Sequence, residues 1–291
     1  MKRYLVLLIM VFLFVCPNIL WAQEFRYPTP PDSIRDRHGR VTYMLDHFWN
    51  EQNLADTATI KNPKFLLDYL YLLKQVHDAE KEKYIRSLIT LTVHQKETFG
   101  TLFTWLDNLL YDSSSPYYDE EIYLTFLETA MNMGVDDSYS LFVEERLKII
   151  RKNRVGHSAN DFTFTEKNGK VHRLYMIDAP FLLIIFNNPN CPLCHQVEKY
   201  INNDSTIQRL LMNDSLKILA IALGAEYDEW VKHQYPEEWL SAIDINETVF
   251  SSRLYDIQRL PSIYLLDKEK RILLKEADYT RLNRFLATCK L

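Results

Sequence analysis

Two cysteines separated by two residues are the most chemically suggestive feature of the sequence. The stretch from Pro180 to Glu198 reads PFLLIIFNNPNCPLCHQVE. Its apolar run, Phe181 to Phe186, is too short for a helix and predicts a strand buried on both faces. A polar turn from Asn187 to Asn190 follows, and then Cys191 and Cys194 stand at the start of a helical pattern.

This placement predicts different roles for the two thiols. Unpaired N–H groups and the positive end of the helix dipole favour a thiolate at Cys191. Cys194 lies one turn further along the same helix face, within bridging distance. His195 also follows Cys191 by one turn, where an imidazolium would stabilise the thiolate; a solvated helix histidine is the alternative. The pattern is that of a redox dithiol.

Three other chemistries compete for a C-x-x-C motif. Structural zinc needs two further ligands, and Cys289 is the only later cysteine. Cys191 to His195 also matches C-x-x-C-H, the attachment signature of c-type haem, although a buried strand precedes it and Met212 is the only later methionine. A peroxiredoxin-type peroxidase would have a threonine where this chain has Asn188. We therefore predict no metal and no cofactor.

The N-terminal segment predicts export. A charged start at Met1, an apolar run from Tyr4 to Val15 and a small residue at Ala22 are typical of a secretory signal cleaved before Gln23. An uncleaved membrane anchor is the alternative. A lipid anchor on Cys16 fits less well, because Val15 is not the small residue expected before a lipidated cysteine. We expect a protein of the periplasm or cell envelope.

Composition and net charge limit the classes of partner that we expect. Loss of residues 1–22 would leave 269 of the 291 residues and lower the Lys and Arg count from 34 to 32, against 39 Asp and Glu. The net charge would change from −5 to −7, which argues against nucleic acid and anionic membrane surfaces as partners. The cysteines that would remain are Cys191, Cys194 and Cys289. They are too few for disulfides to stabilise the core of an exported protein.

The hydrophobic period changes near residue 155. Before it, helical spacing predicts an all-α domain over residues 23–155, with helices at about 81–95, 98–111, 118–132 and 138–152. The basic stretch from Arg151 to Arg154, followed by Gly156, marks a boundary. We predict a second domain over residues 156–291.

The second domain alternates strands and helices. A hairpin is predicted around Asn168 and Gly169, followed by the dithiol unit and a second buried strand at 216–223. Helices are expected at 226–234, 246–256 and 279–288, and a second hairpin at 262–275. This order predicts a mixed sheet flanked by helices on both faces.

Residues 156–288 resemble the thioredoxin-like thiol–disulfide oxidoreductases of the bacterial cell envelope. The whole chain resembles a subfamily in which a helical domain of unknown function precedes that module. The similarity is carried by NPNCPLC at 188–194, LKILAIAL at 216–223 and YDIQRLPS at 255–262. It implies a thioredoxin fold preceded by an all-α domain, Cys191 as the attacking thiolate, Cys194 as the resolving thiol, and a groove for the substrate strand shaped by Leu260 and a cis Pro261.

Several positions depart from the family pattern. Thioredoxin has a buried acid where this chain has Ile185, and the envelope reductases often have a glutamate where it has Val197, with Glu198 one place along. The usual tryptophan before the dithiol is Asn190. Pro192 occurs at its position in some oxidising relatives, which hints at a potential above that of thioredoxin.

These observations predict an exported enzyme that exchanges disulfides with envelope proteins. Its partners would be protein thiols and disulfides, together with an upstream protein that donates or accepts electrons. The alternative is a binding or scaffold protein that keeps the fold but has little turnover, a hypothesis favoured by the apolar residue at Ile185.

Overall fold

The computed structural model describes residues 25–54 and 57–288, with the backbone alone at 57 and 58. The predicted signal over 1–22, Cys16 and Cys289 lie outside the described residues. The chain divides into two compact units, with the boundary in the sequence between His77 and Asp78. In the part that the structure describes, no helix combines the length and the apolar character needed to cross a membrane.

In the described part of the first unit, three helices surround aromatic side chains. They are α1 Arg37–His47, α2 Thr57–Lys61 and α3 Pro63–Leu73. Asp36 begins α1 by accepting a hydrogen bond from the Gly39 N–H, and Asn62 caps α3 ahead of a proline at its first position. Phe48 and Tyr69 are buried at the centre of this unit.

The second unit begins with four helices whose positions match the predicted ones to within a few residues. They are α4 Asp78–Thr92, α5 Lys96–Leu106 with a π-helical continuation Asp107–Tyr111, α6 Glu120–Asn132 and α7 Asp137–Ile150. Aspartates cap the last two: Asp119 accepts from the Ile122 N–H, and Asp136 accepts from the Ser138 N–H.

The described strands of this unit form one mixed sheet. They are β1 Thr163–Glu166, β2 Val171–Arg173, β3 Phe181–Asn187, β4 Leu216–Ala222, β5 Leu240–Ile243, β6 Ser262–Asp267 and β7 Ile272–Ala277. Their order is β2-β1-β5-β4-β3-β6-β7, with β3, β4 and β5 parallel and the other pairs antiparallel. The helices of this part are α8 Pro192–Asn203, α9 Ser205–Met212, α10 Tyr227–Lys232, α11 Thr248–Ser251 and α12 Tyr279–Thr288.

Strand β3 is central because both of its faces are covered. Leu183 and Ile185 face a core completed by α8, α9 and α12. Leu182, Ile184 and Phe186 face the opposite core, which includes side chains of the β1 strand and of the 249–255 segment. The unbroken apolar run therefore has the cause predicted for it: the strand has no solvent-facing side.

Three details differ from the prediction. The helix α9 and the short strand β5 were not predicted, and the helix expected at 246–256 is reduced to α11. The Asp244 carboxylate accepts hydrogen bonds from the N–H groups of Thr248, Val249 and Phe250, which begins a helical turn there. Arg253 then adopts a left-handed backbone conformation with φ 43°, which a right-handed helix cannot continue through.

Candidate dithiol site

A polar turn connects β3 to α8 and aims the dithiol at the edge of the sheet. The Asn188 amide donates to the carbonyl oxygens of Leu223 at 2.9 Å and Gly224 at 3.0 Å, which ties the turn to the end of β4. Its side-chain oxygen accepts from the Asn190 N–H at 2.8 Å. The turn is thus fixed by side-chain bonds to backbone, the usual role of asparagine in such loops.

Cys191 is the N-cap residue of α8, and Pro192 is the first residue of that helix. The Cys194 backbone N–H donates to Cys191 Sγ across 3.2 Å. Proline suits the first helical position because the N–H that it lacks would have no partner there. The half-buried sulfur of Cys191 therefore lies at the positive end of the helix and accepts an N–H bond that stabilises a thiolate.

Cys194 is a buried thiol beneath Cys191. Burial, together with the hydrogen bond to Cys191, raises the pKa of Cys194 to about 12, while a bond from the Asn188 backbone acts in the opposite direction. At neutral pH this thiol holds its proton. The two sulfurs therefore differ: Cys191 is half-buried, and Cys194 is buried and protonated.

A buried carboxyl group follows Cys194 by one helical turn. Glu198 is 8% exposed, and its Oε1 has no hydrogen-bond partner among the described residues. Its Oε2 lies 3.1 Å from His233 Nε2. Burial raises the pKa of Glu198, although His233 opposes this shift, and the charge of Glu198 raises the pKa of Cys194.

His195 is part-buried and contacts both the turn and a second histidine. Its Nε2 lies 2.6 Å from the Pro189 carbonyl oxygen, to which it donates. Its ring stacks on His233, with 5.0 Å between centroids and 13° between planes. His195 therefore supports the turn and holds the ring that contacts Glu198.

Leu260 and Pro261 lie beside the dithiol. The peptide bond between them is cis, as the resemblance implies. The Leu260 carbonyl oxygen is 3.9 Å from Cys191 Sγ. Of the predicted site residues, the structure brings Cys191, Cys194 and this dipeptide together, whereas Cys289 is outside the described residues.

Glu198 and His233 were not predicted as site residues, although the first leaves a signal in the sequence. Cys194, Val197, Glu198 and Ile201 follow one another at the spacing of a single buried helix face, and all four are buried. A carboxyl group on such a face needs a partner or a function. His233 is 35 residues further along the chain, and no spacing rule connects it to the helix. Position 185 is an apolar residue with no exposed surface, as the sequence implies.

Metal ligands do not cluster in the described part of the chain: within residues 25–54 and 57–288, no three or more His, Cys, Asp or Glu side chains are arranged to hold an ion.

Known proteins match both parts of the chain. Residues 14–153 match the model of a domain of unknown function, DUF5106. No curated protein matches the chain. A thioredoxin-like protein from Bacteroides caccae is 31% identical, with a TM-score of 0.83, over 91% of this chain and 98% of that one.

Two shorter structures match 46% and 47% of the chain. The C-terminal domain of an uncharacterized protein from Bacteroides fragilis is 34% identical over 98% of its length, with a TM-score of 0.45. A domain described as a possible thiol-disulfide isomerase from Cytophaga hutchinsonii is 23% identical over 93% of its length, with a TM-score of 0.39.

The Bacteroides caccae structure covers the helical part and the sheet together and has the same fold. The predicted fold class, a mixed α/β sheet preceded by a helical region, is confirmed. The chain therefore belongs to the thioredoxin-like family, in the group that carries a DUF5106 region ahead of the thioredoxin-like fold.

Proposed function

We propose that this protein is a thiol–disulfide oxidoreductase that exchanges disulfides with other proteins through Cys191 and Cys194. The observation that carries the proposal is the asymmetry of the dithiol. Cys191 is half-buried at the N-cap and accepts the Cys194 N–H, whereas Cys194 is buried and protonated. Disulfide exchange needs one accessible nucleophile and one protected thiol that reacts second.

In the first step the Cys191 thiolate attacks a disulfide of the substrate protein. A bond forms between Cys191 Sγ and one substrate sulfur, the substrate disulfide breaks, and the other substrate sulfur leaves as a thiolate that takes up a proton. Leu193 is 50% exposed next to Cys191 and offers apolar contact to the substrate. The Leu260 carbonyl, 3.9 Å from Cys191 Sγ, is placed to accept a backbone N–H of an extended substrate segment.

In the second step Cys194 attacks Cys191. The Cys194 proton must leave first, and Glu198 is the buried acceptor that we propose for it. The new bond joins the two cysteines, the mixed disulfide breaks, and the substrate sulfur leaves as a thiolate that takes up a proton. The substrate gains two electrons and the protein loses them. The reverse sequence oxidises a substrate dithiol, so the direction depends on the reduction potential of the couple.

We further propose that the protein works in the periplasm or cell envelope after export. The charged start, apolar run and Ala22 of the N-terminal segment support this location. Its partners would be envelope protein thiols and disulfides and a protein that supplies or removes electrons. Mass spectrometry of the envelope-located protein should find Gln23 at its N terminus; an intact Met1 would indicate an anchor instead.

The test of the proposed chemistry is to trap the mixed disulfide. Cys194→Ser removes the resolving thiol, so mixed disulfides between Cys191 and substrate proteins should accumulate. They should appear as separate bands on non-reducing gels. Cys191→Ser is the matched control and should trap nothing, because the remaining thiol is buried and protonated. Trapping by Cys191→Ser alone would reverse the assignment of the two roles.

A binding or scaffold protein is the second candidate, and the apolar Ile185 favours it because the usual acid is missing there. Turnover separates the two. The wild type should catalyse insulin reduction well above the Cys191→Ser background. Equal rates for both proteins would leave only the scaffold function.

A further inference from the structure

A polar cleft lies in the second compact unit, where the helical region meets the segment that leads to Leu260. Its volume is about 760 Å³. One wall comes from the π-helical turn and α7, and the other from residues 247–259. The residues that determine its chemistry are Asn108, Asp112, Arg146, Phe250, Arg253 and Arg259.

Residues 111–113 of the helical region hold the wall formed by residues 247–259 through specific contacts. The Gln258 amide donates to the Tyr111 carbonyl at 3.0 Å and accepts from the Ser113 N–H at 3.2 Å. Asp112 forms an ion pair with Arg259. Tyr111 donates its hydroxyl to Asp256 at 2.6 Å. The shape of this wall therefore depends on residues 111–113.

Most charges of the cleft are already paired inside it. The Arg146 guanidinium bonds Asp107 through two nitrogens, at 2.9 and 3.1 Å, and lies over the Tyr111 ring. Arg253 differs: it interacts electrostatically with Glu145, while no described residue hydrogen-bonds to its guanidinium. Phe250 is 58% exposed beside it. Glu247 also lines the cleft, where its carboxylate accepts the Ser251 hydroxyl, and Asp256 Oδ2 has no hydrogen-bond partner among the described residues. The cleft thus offers one cation without a hydrogen-bonded partner, carboxylate oxygens and an exposed aromatic face.

The cleft lies close to the reactive sulfur. Arg259 lines it, and the carbonyl of the next residue, Leu260, is 3.9 Å from Cys191 Sγ. An extended polypeptide advances about 3.3–3.6 Å per residue. A chain whose cysteine reacts at Cys191 therefore needs only a few residues to reach Arg259.

We propose that this cleft binds a stretch of the substrate protein that flanks the reacting cysteine, and that it favours an acidic side chain there. The inference rests on the function proposed above. A polypeptide fits better than a small anion, because Arg253 is the one cation among the described lining residues without a hydrogen-bonded partner, Glu247 brings a negative charge to the same cleft, and several polar groups are spread along it. The helical region then acts in substrate selection, through the wall that residues 111–113 hold.

The test compares substrates of different length that share one leaving group. N-acetylcysteine amide and peptides with six further Gly and Ser residues, one of them replaced by Glu or by Gln, are each prepared as mixed disulfides with thionitrobenzoate. Attack by Cys191 on the peptide sulfur releases the coloured thiolate. We expect kcat/KM for a six-residue extension on one side of the cysteine to exceed that of the single residue at least tenfold.

Two variants probe the cleft without touching the dithiol. Ser251→Trp fills it and should remove the length advantage, with the single-residue rate unchanged within twofold. Thr90→Trp, exposed on α4 outside the cleft, is its control. Arg253→Gln should lower the preference for Glu over Gln in the peptide about threefold, and Arg284→Gln on α12 should not. Equal rates at both lengths, or equal losses for both substrates in Ser251→Trp, would overturn the proposal.

A binding measurement that needs no turnover tests the proposed cleft separately from the proposed disulfide exchange. A fluorescein-labelled peptide with Ser in place of its cysteine is titrated into the Cys191→Ser protein and followed by anisotropy. Binding that Ser251→Trp weakens tenfold or more supports the cleft, and binding that it leaves unchanged rejects it. Absence of exchange by the wild type with every disulfide would instead reject the proposed chemistry, while the anisotropy result still decides the cleft.

Discussion

The two cysteines differ in their surroundings. Cys191 lies at a helix N-terminus with an N–H bond to its sulfur, while burial raises the pKa of Cys194 to about 12. A thiol with that pKa is almost entirely protonated at pH 7. The second step of exchange is therefore limited by removal of the Cys194 proton unless a nearby group accepts it.

Replacing Glu198 with Gln separates two effects of this carboxyl group. Its charge raises the pKa of Cys194, so its loss should lower that pKa and increase the thiolate fraction. If Glu198 accepts the proton, however, its loss removes the base. We expect the second effect to dominate and to slow resolution at pH 7 about 10²-fold, the lower end of the range for general base catalysis. Rapid-quench kinetics of the mixed disulfide measures this step.

The pH dependence provides the control. Without a buried acceptor, resolution in Glu198→Gln depends on the Cys194 thiolate fraction and should rise about tenfold per pH unit below its pKa. The wild type should rise less steeply. Glu229→Gln, which keeps an acceptor for the Asn190 amide near the same turn, should behave as the wild type. Faster resolution in Glu198→Gln would mean that the carboxylate acts only through its field.

The dithiol could be predicted from the sequence because its two cysteines are close together in the chain and the C-x-x-C spacing describes them. It did not place Glu198, which is one position away from the family pattern but on the same buried helix face. His233 reaches the site through a fold contact between α8 and the end of α10, and sequence separation hides such contacts. The contacts of Glu198 and His233, on which the proposed proton transfer depends, are therefore visible only in the structure.

Strand β7 contributes a second buried carboxyl group, behind the loop that carries Leu260. Glu276 accepts from the Gln258 N–H at 3.1 Å and from the Ser262 hydroxyl. Burial raises the pKa of Glu276 to about 7, against the effect of these hydrogen bonds. The neutral form is thus favoured in the folded protein across the acidic range.

The raised pKa of Glu276 makes the free energy of unfolding fall as the pH rises. Because the folded pKa of Glu276 lies above its usual value, its contribution is fully present below about pH 4.5 and is lost as the pH rises through about 7. The contribution lost between pH 5 and 8 is about 2–3 kcal/mol. Urea unfolding of Glu276→Gln should show that much less decline over this interval than the wild type. Glu269→Gln, exposed in the turn before β7, should decline as the wild type does; equal slopes for all three proteins would rule out the role of Glu276.

The elements themselves were predictable where one pattern dominated. Strand β3 is apolar up to its last residue, Asn187, because both faces are buried, and the Asn168-Gly169 turn gives a hairpin with Gly169 at φ 81°. Strand β5 was not predicted because its four residues, LSAI, are too few to show a period. The helix expected at 246–256 failed because Asp244 and a left-handed Arg253 control that backbone, and periodicity carries no information on either.

At the scale of the whole molecule, buried polar contacts join the helical region to the sheet. Lys275 on β7 is 1% exposed, and its ammonium donates to the carbonyls of Ile150 and Lys152 and pairs with Glu120 at 2.8 Å. Helices α4–α7 belong to the same compact unit as the sheet, and the other unit ends at His77. The predicted domain boundary at 155/156 marks the change from helices to strands, and its independence in folding stays a prediction.

Truncation tests that boundary. A fragment over 156–291 leaves Lys275 without Glu120 and without both carbonyl acceptors, so a buried ammonium loses most of its partners; breaking a buried ion pair costs about 3–5 kcal/mol. A fragment over 78–291 keeps them all. We expect the shorter fragment to unfold at much lower urea concentration than the longer one. Lys275→Met in the shorter fragment should recover part of the difference, because a methionine needs no ion pair, whereas Lys268→Met in the exposed turn should recover none. Equal midpoints for the two fragments would show that the sheet folds independently of the helices.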